Sequence, residues 1–256
     1  MPHRPRKRFG QHFLHDQRII GKILTCIAPQ PGDTLVEIGP GLGAITLPLL
    51  ERCGTLTAIE LDRDVIPTLE AAAAGRGRLH IIQADALKTG LAPLAPAGGK
   101  LRLVGNLPYN ISTPLLFHFL EESGCIRDMH FMLQKEVVDR MAAGPGGKEY
   151  GRLTVMLAAH CKVERLFNIG SGAFRPPPKV ESSFVRLTPY AVAPFPIADR
   201  ERYGRVVTAA FSHRRKTLRN ALSGLVDEAA IRAAGIDPQV RPEMLTAEEY
   251  SRLASH

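Results

Sequence analysis

The sequence predicts an α/β fold, a mostly parallel sheet with helices on both faces, followed by a small all-helical domain. Three observations carry this. Strand-like apolar runs alternate with segments of helical period through the first part of the chain. A glycine-rich turn follows the first of those strands, at the edge where open parallel sheets place their ligands. After a proline-rich stretch at residues 188–196, only helical patterns remain.

The elements follow in order. Asp16 can cap a helix over 17–28, whose Ile19, Ile20, Ile23, Leu24 and Ile27 share one face. Strands are predicted over 34–38, 56–60, 79–83, 101–105 and 129–133, with helices over 44–52, 63–73 and 113–121 between them. A helix over 135–143 ends at the breaker Gly144-Pro145-Gly146-Gly147. A helix over 153–160 and a strand near 162–167 come next, then a proline-rich loop from Phe174 to Lys179. Residues 180–187 alternate as an antiparallel strand does. Helices are predicted over 200–211, 216–226, 228–234 and 246–254. The division expected is therefore 1–190 for the sheet domain with a basic N-terminal arm, and 197–256 for the helical domain.

A chain of 256 residues can bury a large core, and 45% hydrophobic with 23% charged residues fits a water-soluble globular protein. No apolar run reaches the length of a membrane span, and the basic start is not followed by the apolar segment of a secretory signal. Cys26, Cys53, Cys125 and Cys161 are widely spaced, which reads as free thiols in a reducing, cytoplasmic setting rather than as a metal site. The net charge of +8 favours a polyanionic partner. Arg4, Arg6, Lys7 and Arg8 cluster at the start; Arg214, Arg215, Lys216 and Arg219 cluster near the end. Two such clusters in a mixed-charge chain favour nucleic acid over two solvated faces.

Chemistry concentrates after the predicted strands. Asn106-Leu107-Pro108-Tyr109 follows the run over 101–105. The Asn106 side-chain oxygen and the Leu107 or Pro108 carbonyl can accept the two N–H groups of a flipped-out adenine amine, while Tyr109 offers a ring to stack on. A plain turn after a strand has the same composition. The turn Gly39-Pro40-Gly41-Leu42-Gly43 lets backbone approach a ligand at a helix N-terminus, yet Gly39, Gly41 and Ala44 also fit a dinucleotide pattern. Glu60 ends the second strand 21 positions after Gly39 (60 − 39), where a carboxylate accepts from ribose hydroxyls. Asp85, after the third, can accept from an adenine amine or cap a helix.

With these groups in this order the chain resembles an S-adenosylmethionine-dependent methyltransferase of the Rossmann-like class I type. Further stretches resemble one family, the bacterial small-subunit ribosomal RNA adenine dimethyltransferases: residues 8–14, 36–42, 59–62, 105–113, 132–136, 173–180 and 214–221. The resemblance spans nearly the whole chain. It implies N6-dimethylation of two adjacent adenines near the 3′ end of 16S rRNA in small-subunit biogenesis, by a cytoplasmic monomer without metal. It also implies cofactor contacts at His12, Leu14, Gly39, Glu60, Asp85 and Asn106, and places Phe174 on the other face of the target base. Position 12 is His where many relatives have Asn. Gly43 stands where some relatives have a larger residue, a difference expected to be neutral.

The implied reaction is direct displacement by the adenine N6, whose delocalised lone pair is a poor nucleophile. Acceptors out of the base plane favour a pyramidal nitrogen. Three other readings compete: an Erm-like enzyme acting on 23S rRNA, a ribosome-assembly factor with a mainly non-catalytic role, and an NAD-dependent oxidoreductase. The motifs over 176–180 and 214–220 disfavour the first, the intact Asn106–Tyr109 turn the second, and the lack of a hydride-acceptor site the third.

Overall fold

The computed structural model describes residues 12–256. Arg4, Arg6, Lys7 and Arg8 lie outside the described residues. The chain divides into two compact units, one of residues up to Val138 together with Glu164–Pro189, the other of Asp139–Val163 with Tyr190–His256.

In the first unit, β1 (Phe13–Leu14) precedes α1 (Gln17–Ile27). Asp16 caps α1 by accepting from the Arg18 and Ile19 N–H groups at 2.9 and 3.2 Å. The helix buries Ile20, Ile23, Leu24 and Ile27. Ala28 stops it in the left-handed region at φ 46°, and Arg102 then takes the Ile27 carbonyl at 2.6 Å. The half that follows is doubly wound: β2 (Thr34–Ile38), α2 (Thr46–Cys53), β3 (Thr55–Glu60), α3 (Ile66–Ala73), β4 (Arg78–Gln83), β5 (Leu101–Asn106), α4 (Ser112–Glu121) and β6 (Ile126–Gln134). The chain continues through α5 (Lys135–Met141), α6 (Arg152–Ala158), β7 (Cys161–Ile169), β8 (Phe174–Arg175) and β9 (Ser182–Pro189).

Seven strands form one sheet in the order β4-β3-β2-β5-β6-β9-β7. The pairs β2/β3, β2/β5, β3/β4 and β5/β6 are parallel, and β9 runs antiparallel to β6. The chain starts at β2 and winds first to one side, then to the other. The reversal leaves a crevice outside the carboxyl ends of β2 and β5, where such sheets bind ligands. Gly105 sits opposite Ile38, and a Cβ on it would lie 2.5 Å from the Ile38 carbonyl oxygen. Only glycine allows β2 and β5 this approach at the mouth of the crevice.

A second, two-stranded sheet escaped the sequence reading. β1 pairs antiparallel with β8, Phe13 opposite Arg175 and Leu14 opposite Phe174. Each strand is two residues long, too short for any periodicity to mark it.

In the second unit, α7 (Arg200–Ser212), α8 (Leu218–Ala221), α9 (Glu228–Ala233) and α10 (Ala247–Ala254) enclose a core with Tyr203, Val206, Val207, Tyr250 and Leu253. Its buried tyrosines each find an acceptor: Tyr150 donates to the Leu245 carbonyl, Tyr203 to Val155 and Tyr250 to Pro242. Residues 139–163, which the sequence reading assigned to the sheet domain, pack in this core through Tyr150 and Val155. The helix expected over 216–226 is only the single turn α8: Thr217 is extended at ψ 158°, the helix ends at Ala221, and Gly224 at φ 83° turns the chain further on.

Candidate active site

A cavity of about 1110 Å³ opens at the carboxyl ends of β2, β3 and β5. Its lining brings together His12, Leu14, Gly39, Gly41, Glu60, Asp85, Asn106, Leu107, Pro108 and Tyr109, expected sites drawn from five separate stretches of sequence. All of them belong to the sheet unit.

The glycine turn is held by the end of β3. The Gly39 N–H donates to the Ile59 carbonyl at 2.9 Å, and the Gly41 N–H to Glu60 Oε2 at 3.2 Å. Gly39 and Gly41 have φ of 67° and 54°, so the turn needs glycine at both. Gly43 is not neutral as expected: its φ is 88°, and a Cβ there would meet Leu69 Cδ1 at 2.8 Å.

Glu60 is buried and uses one lone pair of each oxygen on backbone, Oε1 taking the Asp62 N–H at 2.8 Å. Glu60 lines the cavity together with Leu61 and Asp62. Burial pushes its pKa up, while the Asp62 and Gly41 N–H groups pull it back. Asp85 Oδ1 accepts the Leu87 N–H at 3.0 Å and so fastens a turn rather than capping a helix, since no helix follows it directly; its Oδ2 is left over for a ligand.

The Asn106 amide is oriented by chemistry. Nδ2 donates to the His12 carbonyl at 3.0 Å, and since a carbonyl only accepts, the side-chain oxygen must turn to the other side. The Leu107 N–H anchors the turn on the Met132 carbonyl at 3.2 Å. Tyr109 shares a 2.6 Å hydrogen bond with Ser182 of β9, and burial holds its phenol above the ordinary value. It is a fixed, neutral ring.

Phe174 departs from its expected place. It is 1% exposed within the hydrophobic core, paired with Leu14 across the β1/β8 ladder. Ladder alternation turns Arg175 the other way, and Arg175 with the following Pro176 lines the cavity instead.

Glu37 was missed. It lies in the middle of the β2 run Leu35-Val36-Glu37-Ile38, 2% exposed, and lines the cavity. Its Oε2 and the Thr46 hydroxyl are both buried without a hydrogen-bond partner. Burial pushes its carboxyl up to about 7; the neighbouring Thr46 hydroxyl pulls it back and the charge of Glu60 adds to the rise. A charged residue inside an apolar strand was a visible signal, because such a group is seldom buried without a task.

In the helical unit the basic run divides. Arg214 is half-buried, donates to the Gly147 carbonyl at 3.0 Å and lies 3.9 Å from Glu243. Arg219 pairs with Glu228 at 3.2 Å. Arg215 and Lys216 are exposed.

The comparisons with known proteins agree along the whole chain. The family model described as ribosomal RNA adenine dimethylase matches residues 2–256. A protein of Pseudomonas fluorescens named ribosomal RNA small subunit methyltransferase A is 56% identical over 252 residues, 98% of this chain and 93% of that one. Its namesake in Pseudomonas aeruginosa is 55% identical over 253 residues, 99% and 94% of the two chains. Among solved structures, a dimethyladenosine transferase from Plasmodium falciparum aligns with a TM-score of 0.78 at 25% identity, over 94% of this chain and 96% of that one. The 23S rRNA methyltransferase ErmE aligns with a TM-score of 0.74, also at 25% identity, over 95% and 98%. The sheet is thus of the class I methyltransferase type, and the chain belongs to the ribosomal RNA adenine dimethylase family.

Proposed function

We propose that this protein transfers methyl groups from S-adenosylmethionine to N6 of two adjacent adenines near the 3′ end of 16S rRNA, two to each, during small-subunit biogenesis. The observation that carries the mechanism is the Asn106–His12 hydrogen bond. It frees the Asn106 oxygen to accept from an amine in the same cavity that Glu60 and the glycine turn line.

The residues present fit the cofactor. Glu37 and Glu60 put carboxylates into a cavity where glycines admit close backbone contact, the donor set for a cationic, hydroxyl-rich ligand. Gly39, Gly41, Glu60 and Asp85 line the proposed nucleoside side, with His12 and Leu14 completing the wall. When bound, S-adenosylmethionine supplies an electrophilic methyl group. The chain does the rest by position. Asn106 and the Leu107 or Pro108 carbonyl accept the amine's N–H groups out of the base plane, and Tyr109 stacks on the ring. Acceptors fixed in advance need no reorganisation as charge develops. No side chain has to become a strong base, because the nitrogen sheds its proton after it has become cationic.

Arg215 and Lys216 in the helical unit, joined by Arg4, Arg6, Lys7 and Arg8, would bind rRNA phosphates. Arg214 and Arg219 are partly engaged within the fold and contribute less. No helix among the described residues is long and apolar enough to cross a membrane. The reading carries with it action as a monomer in the cytoplasm, where the small subunit is built. An Erm-like activity is disfavoured by degree: ErmE is 25% identical, against 54–56% for relatives named for the small subunit. Incubation with labelled S-adenosylmethionine and undermethylated small subunits, followed by mapping of the label, tests the proposal. Label at the two adjacent 16S adenines is expected; label in 23S rRNA or none would overturn it.

A further inference from the structure

We propose that the His12 imidazole is a place-holder for the target adenine. It occupies the stacking face of Tyr109 until a base delivered by the folded RNA displaces it, and so raises the threshold of binding that any base must meet. The inference rests on the reading that Tyr109 receives the base.

The imidazole lies against the Tyr109 ring with centroids 5.8 Å apart and planes 26° apart. Its Nδ1–H donates to the Pro176 carbonyl at 2.8 Å. His12, Tyr109, Asn106 and Pro176 all line the one cavity. The ring therefore bridges Tyr109 and the 174–176 segment, the two sides between which a flipped base has to enter. An imidazole is the five-membered half of a purine: flat, aromatic, with an N–H at its edge. It satisfies an exposed aromatic face and a lone carbonyl with the interactions a base would make.

The anchoring lets the ring move alone. The His12 backbone is fixed by Asn106, and the chain beyond it by the β1/β8 ladder and the His15 N–H on the Ala173 carbonyl at 2.9 Å. Rotation about the His12 side-chain bonds clears the slot without disturbing the hydrogen bond that orients Asn106. A stray nucleotide brings no other contacts with which to displace the ring. A base carried by a large docked RNA surface does, so a displacement cost that is the same for every base leaves only the docked one bound well enough to react.

The test compares wild type, His12→Ala, His12→Asn and His12→Phe as full chains. Steady-state methylation is measured on undermethylated small subunits and on a short single-stranded RNA containing paired adenines, with S-adenosylmethionine affinity followed by calorimetry. If the slot is self-occupied, kcat/KM for subunits rises about three- to tenfold in both truncations, the occupancy penalty having been removed. The short RNA gains by the same factor as the subunit, while His12→Phe keeps the slot filled and shows no rise. A fall or no change in kcat/KM in the truncations overturns the inference; a parallel loss of cofactor affinity would identify the ring as a cofactor contact. Two truncations guard against one of them misfolding. Failure of the wild type to label the 16S adenines would instead be failure of the proposed function, which this comparison keeps separate.

Discussion

Glu60 Oε2 accepts the Gly41 N–H at 3.2 Å, so the acid that ends β3 also fastens the turn that ends β2. One carboxylate is thereby both ligand group and scaffold. Glu60→Ala is predicted to weaken S-adenosylmethionine binding by roughly 1.5–3 kcal/mol, the worth of hydrogen bonds to a charged group. Glu60→Gln should lose less, because its amide oxygen can still accept. Calorimetric affinities check this; an unchanged value for Glu60→Ala would remove the residue from the cofactor site.

Asn106 is predicted to act through orientation as well as identity. Asn106→Ala should slow single-turnover methylation on the order of a hundredfold or more, as loss of one preorganised polar group does. Asn106→Asp should fare no better, since a carboxylate cannot donate to the His12 carbonyl and is repelled by it. An Asp variant with near-normal rates would show that the Nδ2 hydrogen bond is irrelevant to catalysis.

Glu37 gives a pH signature. Burial raises its folded-state value from 4.5 to about 7, so across that window the folded chain keeps a proton the unfolded chain has released. Stability is then predicted to fall as pH rises from 4.5 towards 7 and to level off above it, by about 3 kcal/mol in all. Glu60, also raised, adds a slope of the same sign. Denaturant unfolding of wild type against Glu37→Gln isolates the Glu37 share. S-adenosylmethionine, as a cation, should restore the lost stability and release a proton on binding within the same window.

Gly105→Ala should destabilise the sheet by about 1–3 kcal/mol, the usual cost of overpacking a rigid site, because the added carbon would have to push back the Ile38 carbonyl. Thermal unfolding is the readout. A variant as stable as wild type would mean the β2/β5 spacing is looser than this contact.

The division of the basic run predicts two phenotypes. Replacing Arg215 and Lys216 by Ala should flatten the salt dependence of subunit binding by a log–log slope of about 1.5, two phosphate contacts' worth, without altering cofactor affinity. Arg214→Ala should mainly lower the stability of the helical unit, whose 144–147 loop it holds through Gly147. Subunit binding by the double variant with the wild-type slope would place the RNA platform elsewhere.

What was legible in the sequence depended on length and spacing. The sheet strands announced themselves as apolar runs, and Glu60 by its distance from the glycine turn. The predicted 34–38 strand matches β2 to the residue, and α1 ends one residue before its prediction. What failed was non-local. Nothing around Phe13 shows that it pairs with Arg175, and nothing around Phe174 shows that the ladder turns its ring inward. The 139–163 segment looked continuous with the sheet because its preference for the C-terminal helices rests on contacts such as Tyr150 with Leu245, 95 positions apart. Glu37 was legible but was read as part of a strand.

The ladder that joins β1 to β8 also bears on synthesis. His12 emerges from the ribosome early, yet its partner Pro176 lies 164 residues later. Strands β2 to β6 can assemble while that stretch is still being translated, since their contacts are sequentially nearer. The catalytic amide cannot be oriented by the same route, because the segment that presents the His12 carbonyl has nothing to lie against until β8 arrives. A growing chain can therefore pair the five parallel strands before its methyl-transfer site is complete, and the site is finished only once β8, at Phe174–Arg175, has been made.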